Sequence, residues 1–225
     1  MIVKNFVAPA LPVPTPDYSQ PQQTDTSRAL RLYFNLLDRY LNDISTILNG
    51  GTDGLGLTMP FIGASDSGDQ VSAANDTPTL VTWDTLDGGY LWALGSPGKA
   101  TAQVPGYYKI DYSLQFANTD NAAHDAVVWL KVNGNDVPRS TTVFTLPARK
   151  SAGVPSYVCG YSTVTFEVTD GDYIELYWAT DQAFISGTQD GIYIYSEAAQ
   201  TSPYVRPAIP SAIGNITFLS STPPA

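Results

Sequence analysis

The chain has 225 residues, enough to bury a proper core without covalent staples. Its 11 basic and 21 acidic residues give a net charge of −10, which argues against nucleic acid and anionic membranes as partners. The lone cysteine, Cys159, rules out an intramolecular disulfide and any cysteine-based metal site. It is expected to be a small buried residue of a protein made in a reducing cytoplasm.

Residues 1–23 carry Pro9, Pro12, Pro14, Pro16 and Pro21, so the segment is expected to be extended, partly polyproline II, and not helical. At about 3.1 Å per residue such an arm reaches roughly 70 Å. Ile2, Val3, Phe6, Val7, Leu11 and Val13 are many apolar residues for a solvated linker. The segment is either an anchoring arm laid along another protein or a disordered terminus. "MIVKNFVAPALPV" is too short and too proline-broken for a signal peptide, and no apolar run approaches the roughly 20 residues of a membrane span.

Residues 24–50 are expected to form one helix. Leu30, Phe34, Leu37, Leu41, Ile44 and Leu48 alternate at spacings of four and three, the seam of a coiled coil. Thr24, Asp25, Thr26 and Ser27 offer capping oxygens, and Gly50 offers a left-handed stop. Tyr33, Leu36, Tyr40 and Ile47 widen the stripe toward burial among several helices. Either this face joins other helices as an oligomerisation neck, or it packs on the protein's own sheet.

Residues 51–76 are rich in Gly, Ser and Asp and are expected to be a connector. From residue 77 to 198 the pattern becomes strands separated by turns. "YYKIDYSLQF" alternates strictly, with Tyr108, Ile110, Tyr112, Leu114 and Phe116 on one face. "AVVWLKVNGNDV" runs into Asn133-Gly134, a strong hairpin signal. "STVTFEVTDGDYIELYWAT" is expected to be a second hairpin, with Val164, Phe166 and Val168 returning as Ile174, Leu176 and Trp178 around Asp170-Gly171. "GIYIYSEA" closes the series. Strands at this spacing without intervening helices predict a mostly β protein, an antiparallel jelly-roll sandwich preceded by an extended arm and one α-helix. Residues 199–225 are expected to cross the surface and add a short edge strand at Ile216–Leu219. The low charge and the abundance of Tyr, Gly, Pro, Thr, Ser and Asn suit β-rich virion or adhesive surfaces.

Little in the chain points to catalysis, and no cofactor is implied. The single histidine, His124, sits in the expected loop "NTDNAAHDAV" and reads as a solvated side chain without the second histidine or cysteine a transition metal needs. Glu167 and Glu175 are expected opposite each other on the polar face of one hairpin, as surface carboxylates. "TDGD" lacks the spacing of a calcium loop and reads as a turn. No phosphate loop, nucleophile elbow or metalloprotease helix is present, so no catalytic or metal residue is assigned. The aromatics Trp129 and Tyr177, on the face opposite the core set, are candidates for stacking on a glycan or for burial between subunits.

The ordered blocks "PGYYKIDYSLQF", "VWLKVNGNDV", "VTFEVTDGDYIELYW" and "AFISG" resemble the tumour necrosis factor-like jelly roll and the related complement globular head. The leader "TDTSRALRLYFNLLDRYLNDI" behind a proline-rich arm, with the tail "PAIPSAI", is similar to structural proteins of tailed bacteriophages. The resemblance implies a homotrimer whose N-terminal segment attaches to capsid, portal, collar or tail proteins of the virion. It favours a compact decoration, collar or fibre-type knob over a long fibre. The alternative is a receptor-binding module for a host-surface glycan.

Overall fold

A computed structural model describes residues 20–48, 59–95 and 97–221, with the side chains of Gln22 and residues 42–48 excepted. The chain divides into two units, residues 1–58 and 59–225.

The first unit contains α1 (Gln20–Leu48), a helix of 29 residues. It starts four residues before the expected Thr24, so residues 20–23 belong to the helix and not to the arm. Pro21 causes no break there, because a first-turn amide has no helical acceptor and the fixed φ of proline suits that position. Thr24 lies inside the helix and is not its cap: its hydroxyl donates back to the Gln20 carbonyl at 2.9 Å. The helix end at Gly50 and the arm residues Ile2, Val3, Phe6, Val7, Leu11 and Val13 lie outside the described residues.

The second unit is the head. Its strands are β1 (Phe61–Asp66), β2 (Thr79–Leu80), β3 (Thr85–Tyr90), β4 (Trp92–Gly95), β5 (Lys99–Ala102), β6 (Gly106–Asn118) and β7 (His124–Val132). They continue as β8 (Asn135–Asp136), β9 (Thr142–Leu146), β10 (Ser156–Val168), β11 (Tyr173–Thr180), β12 (Ile192–Ile194) and β13 (Ala212–Ser220). One sheet has the order β10-β6-β13-β1-β3, with β12 also on β6. The other has the order β4-β5-β11-β7-β8, with β2 on β11 and β9 on β7. Every pairing of named strands is antiparallel, giving the expected jelly-roll sandwich.

The alternation in β6 sets the core. Tyr108, Ile110, Tyr112, Leu114 and Phe116 are all buried and meet Leu130, Ile174, Leu176 and Trp178 of the facing sheet in one cluster. Asn133 and Gly134 have φ of 51° and 77°, the left-handed pair that a two-residue hairpin of this twist requires, and they join β7 to β8. The second expected hairpin is not one. β10 pairs with β6 in the first sheet, and β11 pairs with β7 in the second, so the Asp170-Gly171 turn crosses between sheets. Both strands alternate inward as expected, since either sheet of a sandwich buries one face, and local pattern does not say which sheet a strand joins.

Two boundaries also move. The connector expected at 51–76 contains β1, and the tail expected at 199–225 contains β13, a nine-residue strand lying between β6 and β1. The tail is therefore central and not an edge. Pro203, Pro207 and Pro210 all precede Ala212, so the strand itself is free of proline and donates normally to both neighbours.

The registers give the head two distinct ends. Phe61 of β1 faces Thr217 at one end, and Asp66 faces Ala212 toward the other. Pro60, the Asn133-Gly134 turn, the Thr169–Asp172 turn and Ser220 share the end at which the chain arrives. Residues 119–123, 147–155 and 181–191 cluster at the opposite end.

Candidate functional site

On α1, Leu30, Phe34 and Leu41 are 37%, 59% and 56% exposed, and Leu37 is half-buried. Spaced by four, three and four, they lie along one helix face. Ile44 and Leu48 continue the spacing within the helix, but their side chains lie outside the described set. The core cluster of the head is formed entirely by head residues, from Ile62 to Phe218.

Trp129 and Tyr177 come together as opposite residues of β7 and β11, with ring centroids 6.0 Å apart. Both are half-buried. The Trp129 indole N–H donates to Asp136 at 2.8 Å, and the Lys131 ammonium stands 4.7 Å over the Tyr177 ring while pairing with Asp136 at 3.3 Å. One row along, Lys99 lies 4.1 Å over the Tyr173 ring and 3.8 Å from the buried Glu175 carboxylate. Lysines cover the Tyr173 and Tyr177 rings, and the Trp129 indole donor is satisfied. They form a closed ladder on the outer face of the second sheet.

The open aromatic surface lies on the other sheet, at residues the sequence reading passed over. Successive outward positions of β10 hold Tyr157, Cys159 and Tyr161, all exposed. The expectation of a buried cysteine fails because Cys159 shares the outward parity of the two tyrosines, while Gly160 faces in against Phe116. Beside them Tyr193 and Tyr195 project from β12 and its continuation. Tyr157 and Tyr195 are 4.5 Å apart, and Phe184 and Tyr193 are 5.0 Å apart. Burial pushes the Tyr193 and Tyr195 hydroxyls upward from their ordinary pKa, and nearby anionic side chains add to the effect. The alternation in "SYVCGYSTVTFEV" carried a signal for this face. Tyrosine and threonine fit either side of a sheet, so only the inward set stood out.

His124 is neither in a loop nor solvated. It opens β7, is 15% exposed at its side chain, and has Nε2 2.6 Å from Asp120 and Nδ1 3.5 Å from Asp181. This contact, foremost, holds the Asp120 carboxyl below the usual range. Arg149 joins the cluster by donating to the Thr119 carbonyl at 3.1 Å and to Asp190 at 2.8 Å. The arrangement ties three loops of the distal end together and presents no nucleophile hydrogen-bonded to the imidazole. Glu167 and Glu175 are separated on different sheets and form no pair. Asp172 of the "TDGD" turn accepts from the Thr169 amide at 2.7 Å and from Asn133 at 2.6 Å, bonds that hold its pKa low. Among the described residues no group of three or more His, Cys, Asp and Glu is placed to hold a metal ion, and no helix is long and apolar enough to cross a membrane.

Neither a protein-family model nor a curated protein sequence matches the chain. Among solved structures the fold is similar to that of Eiger TNF from S. frugiperda, at 13% identity and a TM-score of 0.44, over 74% of this chain and 98% of that one. The jelly roll assigned above stands on the strand order and registers of this chain.

Proposed function

We propose that the chain is a homotrimeric structural protein of a tailed-phage virion. Its N-terminal arm and helix attach to capsid, portal, collar or tail proteins, and the jelly-roll head projects as a decoration, collar or fibre-type knob. The observation that carries the assembly reading is the helix, with an exposed apolar face at Leu30, Phe34 and Leu41, in a chain whose head closes its core from its own strands. An apolar stripe of that length needs a partner, and identical helices supply one. The outward tyrosines of β10 and β12 offer the heads a second contact area, of the aromatic kind enriched at subunit interfaces. The virion assignment is supported by the resemblance of the proline-rich leader and helix to tailed-phage proteins.

The test is sedimentation of the full chain at micromolar concentration, with and without Leu37→Asp and Leu41→Asp. Trimers that separate in the double variant support the neck, because an unpaired charge buried in a seam costs several kcal/mol, on the order of 3–5. A wild-type monomer, both free and on its particle, refutes it.

The second reading, a glycan-binding module, has one observation in its favour. A shallow recess at the end away from Pro60 is lined by Phe184, Ile185, Thr188, Gln189 and Asp190, a ring with amide, hydroxyl and carboxylate partners of the sort sugars use. Binding of host polysaccharide that is lost in Phe184→Ala would favour it over a purely structural role.

A further inference from the structure

The segment between β12 and β13 cannot lie in the sheet that it leaves. β12 pairs with β6 at Phe116–Asn118, and β13 pairs with the same side of β6 from Leu114 onward. The two strands are thus collinear, and residues 196–210 depart and return at one point. The Tyr195 amide donates to the Gln115 carbonyl at 2.7 Å, and the Gln115 amide donates to the Ser211 carbonyl at 2.8 Å. The other flank is closed as well. The Ser211 amide donates to the Asp66 carbonyl at 2.8 Å, and Gln70 bridges to Ile194. With a strand on one side, the Asp66–Gln70 segment on the other and the core beneath, the excursion leaves through the outer face of the first sheet. Two further observations agree. The charge of Arg206 is felt at the outward-facing Tyr195 hydroxyl, and the excursion is exposed over most of its length.

The excursion is also organised. Glu197 bridges to Ile209 and Gln200 to Arg206 in antiparallel register, with paired amides and carbonyls at 2.8–3.1 Å. Arg206 staples it from inside, through an ion pair with Glu197 and bonds to the carbonyls of Ala198 at 3.3 Å and Pro207 at 3.0 Å. At its tip Tyr204 and Val205 are 63% and 79% exposed. A pre-ordered hairpin that holds two large apolar side chains in water, with no apolar cover of its own, has its ordering entropy already met before it binds.

We infer that residues 196–210 form an exchange arm whose Tyr204–Val205 tip docks on a second copy of this chain. From the Glu197–Ile209 bridge to the tip is about six residues, so the arm stands up to roughly 20 Å from its root at about 3.3 Å per residue. Packed layers sit only about 10 Å apart. A neighbour seated on the Tyr157, Tyr161 and Tyr195 face therefore meets the arm, which overreaches that contact and lies against the neighbour's flank. Valine at the most exposed tip position suits a protein surface better than a sugar. The inference rests on the self-assembly proposed above.

The experiment places the photocrosslinker p-benzoylphenylalanine at position 204 of the purified full chain, in a mixture of isotopically light and heavy copies, with oligomeric state read by sedimentation. Covalent light–heavy products mapped from position 204 to another copy's head support the arm. Tyr204→Asp with Val205→Asp is then expected to weaken self-association about tenfold or more, while the circular dichroism of the diluted monomer stays unchanged. An oligomer whose crosslinks from 204 all fall within its own copy overturns the arm and leaves the helical neck standing. A chain that is monomeric throughout overturns both.

Discussion

Trp129 and Tyr177 stand directly across from one another on β7 and β11, 6.0 Å between ring centroids, with Lys131 over the tyrosine and Asp136 holding the indole N–H. Each ring is already engaged within its own sheet, so the pair should contribute to the stability of the head. Either Trp129→Ala or Tyr177→Ala should lower unfolding free energy by about 1–2 kcal/mol, and the double variant should lose less than the sum because the cross-strand coupling is removed once. Urea denaturation of the four proteins gives the cycle. Unchanged stability accompanied by weaker self-association would return these residues to burial between subunits, one of the two roles for which the sequence makes them candidates.

Because β13 lies between β6 and β1, the C-terminal strand is part of the head's framework. Truncation after Pro210 should leave the β6 and β1 edges unpaired, remove the buried Ala212 and Ile216, and give an unfolded or aggregating product. Truncation after Ser221 should leave melting unchanged. A soluble, cooperatively folding chain ending at Pro210 would show that β13 is dispensable for folding in spite of its central place.

What was legible from the residues was local. The strict alternation of Tyr108 to Phe116 and the Asn133-Gly134 turn state their own geometry, and both stand as expected. Partnership was not legible. The inward sets of β10 and β11 read correctly, yet nothing local says that the Asp170-Gly171 turn changes sheets. Prolines placed before Ala212 coloured the reading of a strand that contains none. His124 read as solvated although its nearer partner Asp120 is only four residues away, because its burial comes from loops distant in sequence, with Asp181 57 residues on, and Tyr157 and Tyr161 were passed over because tyrosine fits either face of a strand.

The His124 cluster gives the distal end a pH dependence with a definite sign. Asp120 has a folded pKa lowered first by its hydrogen bond to His124, then by the Asn121 amide and by the charges of His124 and Arg149. A carboxylate depressed in the folded state adds stability above its unfolded pKa, about 3.9, and loses it as pH falls through the folded value. Asp84, lowered by the Ser67 and Thr85 hydroxyls, and Asp172, lowered by the Thr169 amide and Asn133, act in the same direction. Melting temperature should therefore fall as pH drops below about 4. Asp120→Asn should melt lower than wild type at pH 7 and converge with it at acid pH. Parallel melting curves for the two proteins from pH 7 to pH 3 would show that the contact does not contribute.

Trp83 packs against Gly214 on the inner face of β13, and the two positions should be coupled. A Cβ on Gly214 would lie 2.9 Å from the Trp83 ring, closer than side chains pack. The same indole lines an apolar cavity of about 20 Å³, with Ile62, Leu94, Ile110, Ile174 and Ile216 around it. Gly214→Ala pushes on the ring in a packed layer and should cost about 1–3 kcal/mol. Trp83→Leu enlarges the cavity and should cost about 2–4 kcal/mol by itself. The leucine also frees the space that the added methyl needs, so the double variant should be no less stable than Trp83→Leu alone. Additive losses in chemical denaturation would mean that the Gly214 penalty arises in the β13 backbone and not at the indole, and that the tryptophan does not select the glycine beneath it.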